Sequence, residues 1–139
     1  MGYRQPSNLQ ERVERAAETQ LKREGSVGPL ELLVEMALLE RAHVESWRRG
    51  VIPHLEPMIQ AGPDKLRKVF EHFRAWAAAR GLRPVEASYQ RADTQGIVVL
   101  QVTVNGEAAR EEFYRQWYVR GDLPAKQTER MVNKLTKAL

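Results

Sequence analysis

The sequence contains no cysteine. That excludes a disulfide framework, a thiolate zinc site and a cysteine nucleophile, and it fits a reducing compartment, so the cytoplasm is the expected location. No uncharged apolar run approaches the roughly 18 residues that a membrane span needs. The opening MGYRQPSNLQER has no apolar stretch of the kind an export signal carries. A membrane partner is therefore not expected. The motifs of common enzyme classes are also missing: there is no GxxxxGK[ST] loop, no GxGxxG after a strand, no GxSxG elbow and no HExxH. Histidine occurs only three times. No catalytic residue, metal site or cofactor is assigned on this basis, although catalytic groups scattered along a chain would escape such templates.

What is present indicates a folded chain. The 139 residues are 42% apolar and 29% charged, near the globular average. That length predicts one domain. Its divisions are read as a helical arm over 1–25, loosely docked, a helical core over 26–81, an antiparallel sheet over 82–120 and a C-terminal helix over 121–139. Lys and Arg number 22 against 18 Asp and Glu, a formal charge of +4. The excess is local. Residues 63–81 carry five positive and two negative charges, and 121–139 carry four and two, whereas 26–62 are acidic with three and five.

Ser7 or Asn8 can cap a helix ending near Glu24, with Gly25 as its left-handed stop. Its apolar stripe, Leu9, Val13, Ala16, Ala17 and Leu21, is thin. Leu30 to Arg49 is the most apolar stretch and reads as one central helix closed by Gly50. After a turn containing Pro53 and Pro57, Gly62-Pro63-Asp64 restarts a helix to Arg80, with Leu66, Val69, Phe70, Phe73, Trp76 and Ala77 at core spacing. Beyond Pro84 the period changes from 3.6 to 2. Val85 to Arg91 and Ile97 to Val104 read as strands, the second as the middle one, with Asn105-Gly106 as a hairpin turn. A third strand is expected over Phe113 to Val119, then a helix carrying Lys126, Arg130, Lys134 and Lys137. The fold class is therefore α+β: three to four N-terminal helices, a small three-stranded antiparallel sheet and a C-terminal helix.

Three local patterns bear on function. Glu40 and His43 have an ExxH spacing that places a carboxylate and an imidazole one helical turn apart, and with His54 they would be the place to look for an enzyme site. The stretch Val44-Glu45-Ser46-Trp47-Arg48-Arg49-Gly50-Val51-Ile52-Pro53 resembles, over ten residues, the end of the recognition helix in excisionase-like winged helix proteins, where an apolar residue, a Trp, basic residues, Gly and Pro close the helix. The resemblance implies DNA contacts at Arg48 and Arg49. Upstream, Leu38, Leu39 and Glu40 stand where that family has a tight turn, and another helix follows where it has strands. An ordinary helix end explains the same residues: Trp47 packs inward, Arg48 and Arg49 favour the negative end of the dipole, and Gly50 caps. The third pattern is Phe113 to Arg120. As a strand it would bury Phe113, Trp117 and Val119 and present Tyr114, Gln116, Tyr118 and Arg120, a face on which bases could stack; the plainer reading, and the favoured one, packs Tyr114 and Tyr118 under a helix with their hydroxyls at the rim.

Two functions follow as expectations. The first is a non-catalytic DNA- or RNA-binding module, with Arg48, Arg49, Arg67, Lys68, Arg74, Arg120, Lys126, Arg130 and Lys134 for phosphates and Tyr114 and Tyr118 for stacking. It requires the two basic helices to border an exposed sheet face. The alternative is a protein interaction or homo-oligomeric assembly module, joined through residues 7–49.

Overall fold

Asn8 opens the first helix reciprocally. Its side-chain oxygen accepts the Glu11 N–H at 2.9 Å, and its amide donates to the Glu11 carboxylate at 2.9 Å. In the computed structural model, which describes residues 8–136, α1 runs Leu9–Glu24. It ends where Gly25 adopts φ +79° and donates to the Leu21 carbonyl at 2.8 Å. The loosely docked arm is not what forms: Val13 and Ala17 are wholly buried. Glu18 accepts from the Trp76 indole at 2.7 Å and from Arg80 at 2.6 and 3.0 Å, fastening α1 to α4 (Pro63–Ala79). A thin apolar stripe suffices because two of its members are alanines, which let the α4 helix approach closely.

The stretch 30–49 is two helices. α2 spans Pro29–Glu35 and α3 spans Arg41–Arg48. Between them Ala37 adopts φ +61°, and the Leu38 N–H reaches back to the Leu33 carbonyl at 2.9 Å. Neither Gly nor Pro marks this turn. A straight helix with apolar residues on nearly every side would leave some of them in water, whereas the bend turns Leu38 and Leu39 into the core with Leu32 and Leu33. Burying two leucines outweighs the cost of about 1–2 kcal/mol for a left-handed alanine.

Residues 26–120 supply an antiparallel sheet of order β1-β5-β2, from β1 (Ser26–Val27), β2 (Leu82–Glu86) and β5 (Gln116–Arg120). A separate hairpin joins β3 (Gln90–Asp93) to β4 (Gly96–Val99). The expected α+β class and antiparallel pairing are present; the strand assignments differ. β5 is the middle strand, and β4 stops at Val99. Asn105-Gly106 leads not into a hairpin but into α5 (Ala108–Tyr114), because Glu111 captures the preceding loop. Its buried carboxylate accepts from the Val102 N–H at 3.1 Å, the Thr103 N–H at 2.6 Å and the Thr103 hydroxyl at 2.5 Å. Phe113 and Tyr114 therefore belong to a helix, and the strand begins only after them.

Helices cover both faces of the sheet. Tyr118 meets Phe73 of α4 edge to face at 5.2 Å. On the opposite face, Ser26 and Arg83 both align with Val119, and Arg83 donates to Thr128 of α6 (Ala125–Thr136) at 2.7 Å. The two basic helices, α4 and α6, thus lie on opposite faces. Among the described residues no helix is long and apolar enough to cross a membrane.

Candidate ligand-binding site

A cavity of about 370 Å³ opens where seven segments converge on the Trp117 face of the sheet. α1 contributes Gln20, Arg23 and Glu24; Ser26 comes from β1, Glu31 from α2, Arg41 and Arg48 from α3, Tyr89 and Trp117 from the sheet layer, and Lys134 and Leu135 from α6. Gln20 occupies the same buried stripe as Val13, Ala16 and Ala17 and is only 2% exposed. Tyr89 precedes β3, where its ring lies 5.2 Å from Trp47 and 6.0 Å from Trp117, leaving it 5% exposed. The Trp117 indole N–H donates to the Ala87 carbonyl at 3.2 Å. Trp117 therefore offers the cavity its apolar ring and no donor.

Five buried side-chain polar atoms in the described residues lack a hydrogen-bond partner, and three of them belong to residues that line this cavity: Gln20 Oε1, Arg48 Nε and Tyr89 OH. An unpaired buried polar atom costs about 1–3 kcal/mol, so these three concentrate a cost to the fold around this cavity. Burial holds the Tyr89 phenol well above its ordinary range, the nearby Glu31 charge adds to this, and Arg48 and Arg41 oppose it. Tyr89 is therefore a neutral hydroxyl that can donate.

The charges around the cavity are unevenly matched. Arg41 grips Glu31 with two hydrogen bonds of 3.0 and 2.6 Å, and this raises the Arg41 pKa further. Arg23 lies 2.8 Å from Glu35 and 3.3 Å from Glu24. Among the described residues neither Arg48 nor Lys134 has a carboxylate within ion-pair distance. Arg48 instead lies 5.7 Å from the centre of the Tyr89 ring. Four cations and two carboxylates line the wall, and with Glu35 paired to Arg23 just outside it the surplus is one positive charge.

The residues singled out for nucleic acid do not converge. Arg48 and Lys134 reach this cavity, and Arg49 caps α3 beside it. Trp47 is buried and donates to the Gln101 carbonyl at 2.9 Å. Chain 51–62 then leads to another helix, with no wing. Arg67 pairs with Asp64 and Glu71, Lys68 is exposed on the same helix, and Arg74 lies 5.5 Å from the centre of the Phe113 ring. Arg120 is held by Asp122 at 2.8 Å, while Lys126 and Arg130 are exposed on α6.

Tyr114 and Tyr118 correct the stacking expectation. They are 3% and 8% exposed, because Tyr114 sits on α5 against Phe70 and Tyr118 lies under α4. Burial pushes the Tyr114 phenol up to about 12, with Arg110 opposing and Glu111 adding. Neither ring has a free face for a base.

His43 Nδ1 lies 3.6 Å from Glu40 Oε2, beyond hydrogen-bond range, and no group of three or more potential metal ligands forms among the described residues. A more voluminous cleft, about 1020 Å³ between α1 and the turns at Gly81 and Gly121, has its arginines tied to carboxylates, Arg80 to Glu18 and Arg120 to Asp122. Comparison with family models, with curated proteins and with solved structures returned no match.

Proposed function

We propose that this chain is a non-catalytic binding module for a small polar molecule that carries an anionic group. One observation carries the reading: Gln20, Arg48 and Tyr89, each with an unpartnered buried polar atom, line a single cavity with Lys134, and among the described residues neither Arg48 nor Lys134 has a carboxylate within ion-pair distance. An oxyanion in the cavity would be drawn to the Arg48 guanidinium and the Lys134 ammonium. The nucleic-acid reading loses support on two grounds. Its stacking rings are inside the protein, and its basic helices lie on opposite faces of a covered sheet. Calorimetric titration with inorganic phosphate and with citrate tests the proposal. At least one should bind, and Arg48→Gln should weaken it about tenfold or more, the value of one charge-assisted hydrogen bond. Failure of both anions, or equal binding by the variant, refutes it.

Self-assembly is favoured by a different observation. β4 has a free edge, its run Gly96 to Leu100 is uncharged, and Ile97 and Val99 are 60% and 47% exposed. Free edges are usually blunted by charge or proline. The backbone groups of Ile97 and Val99 point away from β3, since the hydrogen-bonded partners of that strand are Val98 and Leu100. A second copy pairing antiparallel about Val98 would set Ile97 against Val99 of the partner subunit with no like charges opposed. The apolar side chains of 7–49 cannot serve instead, because Val13, Leu30, Leu33, Val44 and Trp47 are buried within the chain. Light scattering across protein concentration should show a weak dimer that Ile97→Lys abolishes. A monomer at every concentration ends this reading.

A further inference from the structure

Independently of the cavity lined by Arg48 and Lys134, we propose that a groove between α4 and α5 binds a long-chain carboxylate, with the hydrocarbon tail along the groove and the head group at Arg74. The groove has a volume of about 540 Å³ and shares no lining residue with that cavity. Phe70 and Tyr114, 8% and 3% exposed, form its floor. The surface open to a ligand comes from Leu66 and Phe113, which are half-buried, and from Pro63 and Ala109, which are exposed.

Two observations select the occupant. The first is the chemistry and length of the lining. Apart from its arginines the side chains are hydrocarbon, and the one hydroxyl among them, of Tyr114, is directed to Glu56 at 3.5 Å. Hydroxyls or amides on a ligand would lie unpaired against such a lining, whereas a plain alkyl chain leaves nothing unsatisfied. Pro63, Leu66, Phe70 and Arg74 follow one another along a single stripe of α4, and at about 1.5 Å per residue that stripe is about 16 Å long. An extended chain advances about 1.2 Å per bond, so about twelve carbons span it with the head group at Arg74. The second observation is charge. Three arginines and no carboxylate line the groove among the described residues. Arg67 is neutralised by Asp64 and Glu71, and Arg110 by Glu56, so these two supply the walls with their alkyl stems. Arg74 has no carboxylate within ion-pair distance among the described residues, and its guanidinium lies 5.5 Å from the centre of the Phe113 ring. One uncompensated guanidinium beside an apolar groove matches one carboxylate on an apolar chain.

Calorimetric titration of the full chain with dodecanoate, kept below its micelle-forming concentration, tests this against octanoate and dodecanol. Dodecanoate should bind one to one. It should bind at least about tenfold more tightly than dodecanol, the value of one charge-assisted hydrogen bond, and more tightly than octanoate by a similar factor, since octanoate buries fewer CH₂ groups. Arg74→Gln should erase the advantage over dodecanol. Ala109→Glu puts a carboxylate into the groove at an exposed position in the first turn of α5, where it suits the helix dipole, and should abolish binding. A thermal melt checks that both variants fold. No saturable binding of dodecanoate, equal binding of dodecanol, or indifference to either substitution overturns the proposal. So does a dimer in light scattering that Ala109→Glu dissolves while dodecanoate fails to bind the parent, because the groove is then an interface between copies.

Discussion

Replacing Glu111 by alanine should be among the most damaging single changes to this fold. Its carboxylate is the acceptor for two backbone N–H groups, of Val102 and Thr103, and for the Thr103 hydroxyl, which in turn accepts from the Gly106 N–H at 2.9 Å. The hydroxyl can rotate to another partner; the two N–H groups cannot, because Val102 and Thr103 are buried and their segment belongs to no sheet. Each orphaned N–H costs about 1–3 kcal/mol, so the pair costs about 3–4 kcal/mol once some water enters the gap. At an unfolding entropy of about 2.1 cal/mol/K per residue, that lowers the melting temperature by about 10–14 °C for a chain of this size. Glu111→Gln keeps one acceptor and turns an amide donor towards the other N–H, for a loss of about 2 kcal/mol. Glu112→Ala, one residue along and exposed, should stay within about 0.5 kcal/mol of the parent. Urea titrations of the three variants give the numbers, and exchange of the Val102 and Thr103 amides locates the effect. If Glu111→Ala falls within about 1 kcal/mol of Glu112→Ala, the carboxylate does not hold this loop.

Gly28→Ala should destabilise by about 1–3 kcal/mol, since an added Cβ would lie 2.7 Å from two carbons of the Trp117 ring; an unchanged thermal melt would show the indole is not seated there. Glu18 gives a pH dependence. Its carboxyl is held below its ordinary 4.5, first by the Arg80 hydrogen bond and then, against burial, by Trp76 and the Arg80 charge. A depressed native pKa contributes stability that is complete above 4.5 and is lost as pH falls through the lower native value. Glu18→Gln should therefore cost stability at neutral pH and nothing at strongly acid pH, and a constant difference across an acid titration would contradict the assignment.

How far the fold was legible depends on how local its causes are. α1 and α4 follow from neighbours in sequence: a cap at Asn8, a proline at the first position of α4, apolar residues three and four apart, and Gly25 at positive φ. The turn at Ala37 carries no such mark. It exists because Leu38 and Leu39 gain burial with side chains contributed by other segments, so tertiary packing overrode an uninterrupted helical pattern. The same holds for β5. Gln116 to Arg120 reads as a strand, but its central place follows from pairing with Ser26–Val27 and Leu82–Glu86, both distant in sequence. The Asn-Gly hairpin signal failed for a related reason: Glu111 offers the incoming loop a better acceptor than a second strand would.

The candidate site shows the same division more sharply. Gln20 did have a sequence signal, since a glutamine spaced three and four residues from Ala17 and Ala16 stands where a buried apolar residue would be expected, and a polar residue in such a stripe needs a partner. Tyr89 had half of one, as a member of an alternating run. Neither signal points to the other. They meet only because α1 packs on α4, the break at Ala37 redirects α3 so that Arg48 reaches Tyr89, and α6 crosses the Trp117 face of the sheet. Each of those steps is a long-range contact. Basic residues, by contrast, are conspicuous in a sequence wherever they fall, and most of those here pair with carboxylates or lie on helix surfaces. Charge surplus was thus a poor guide to the site, and the unpaired buried atoms are a better one: solvated surface charges cost the fold little, whereas a buried polar atom of Gln20, Arg48 or Tyr89 left without a partner carries a penalty.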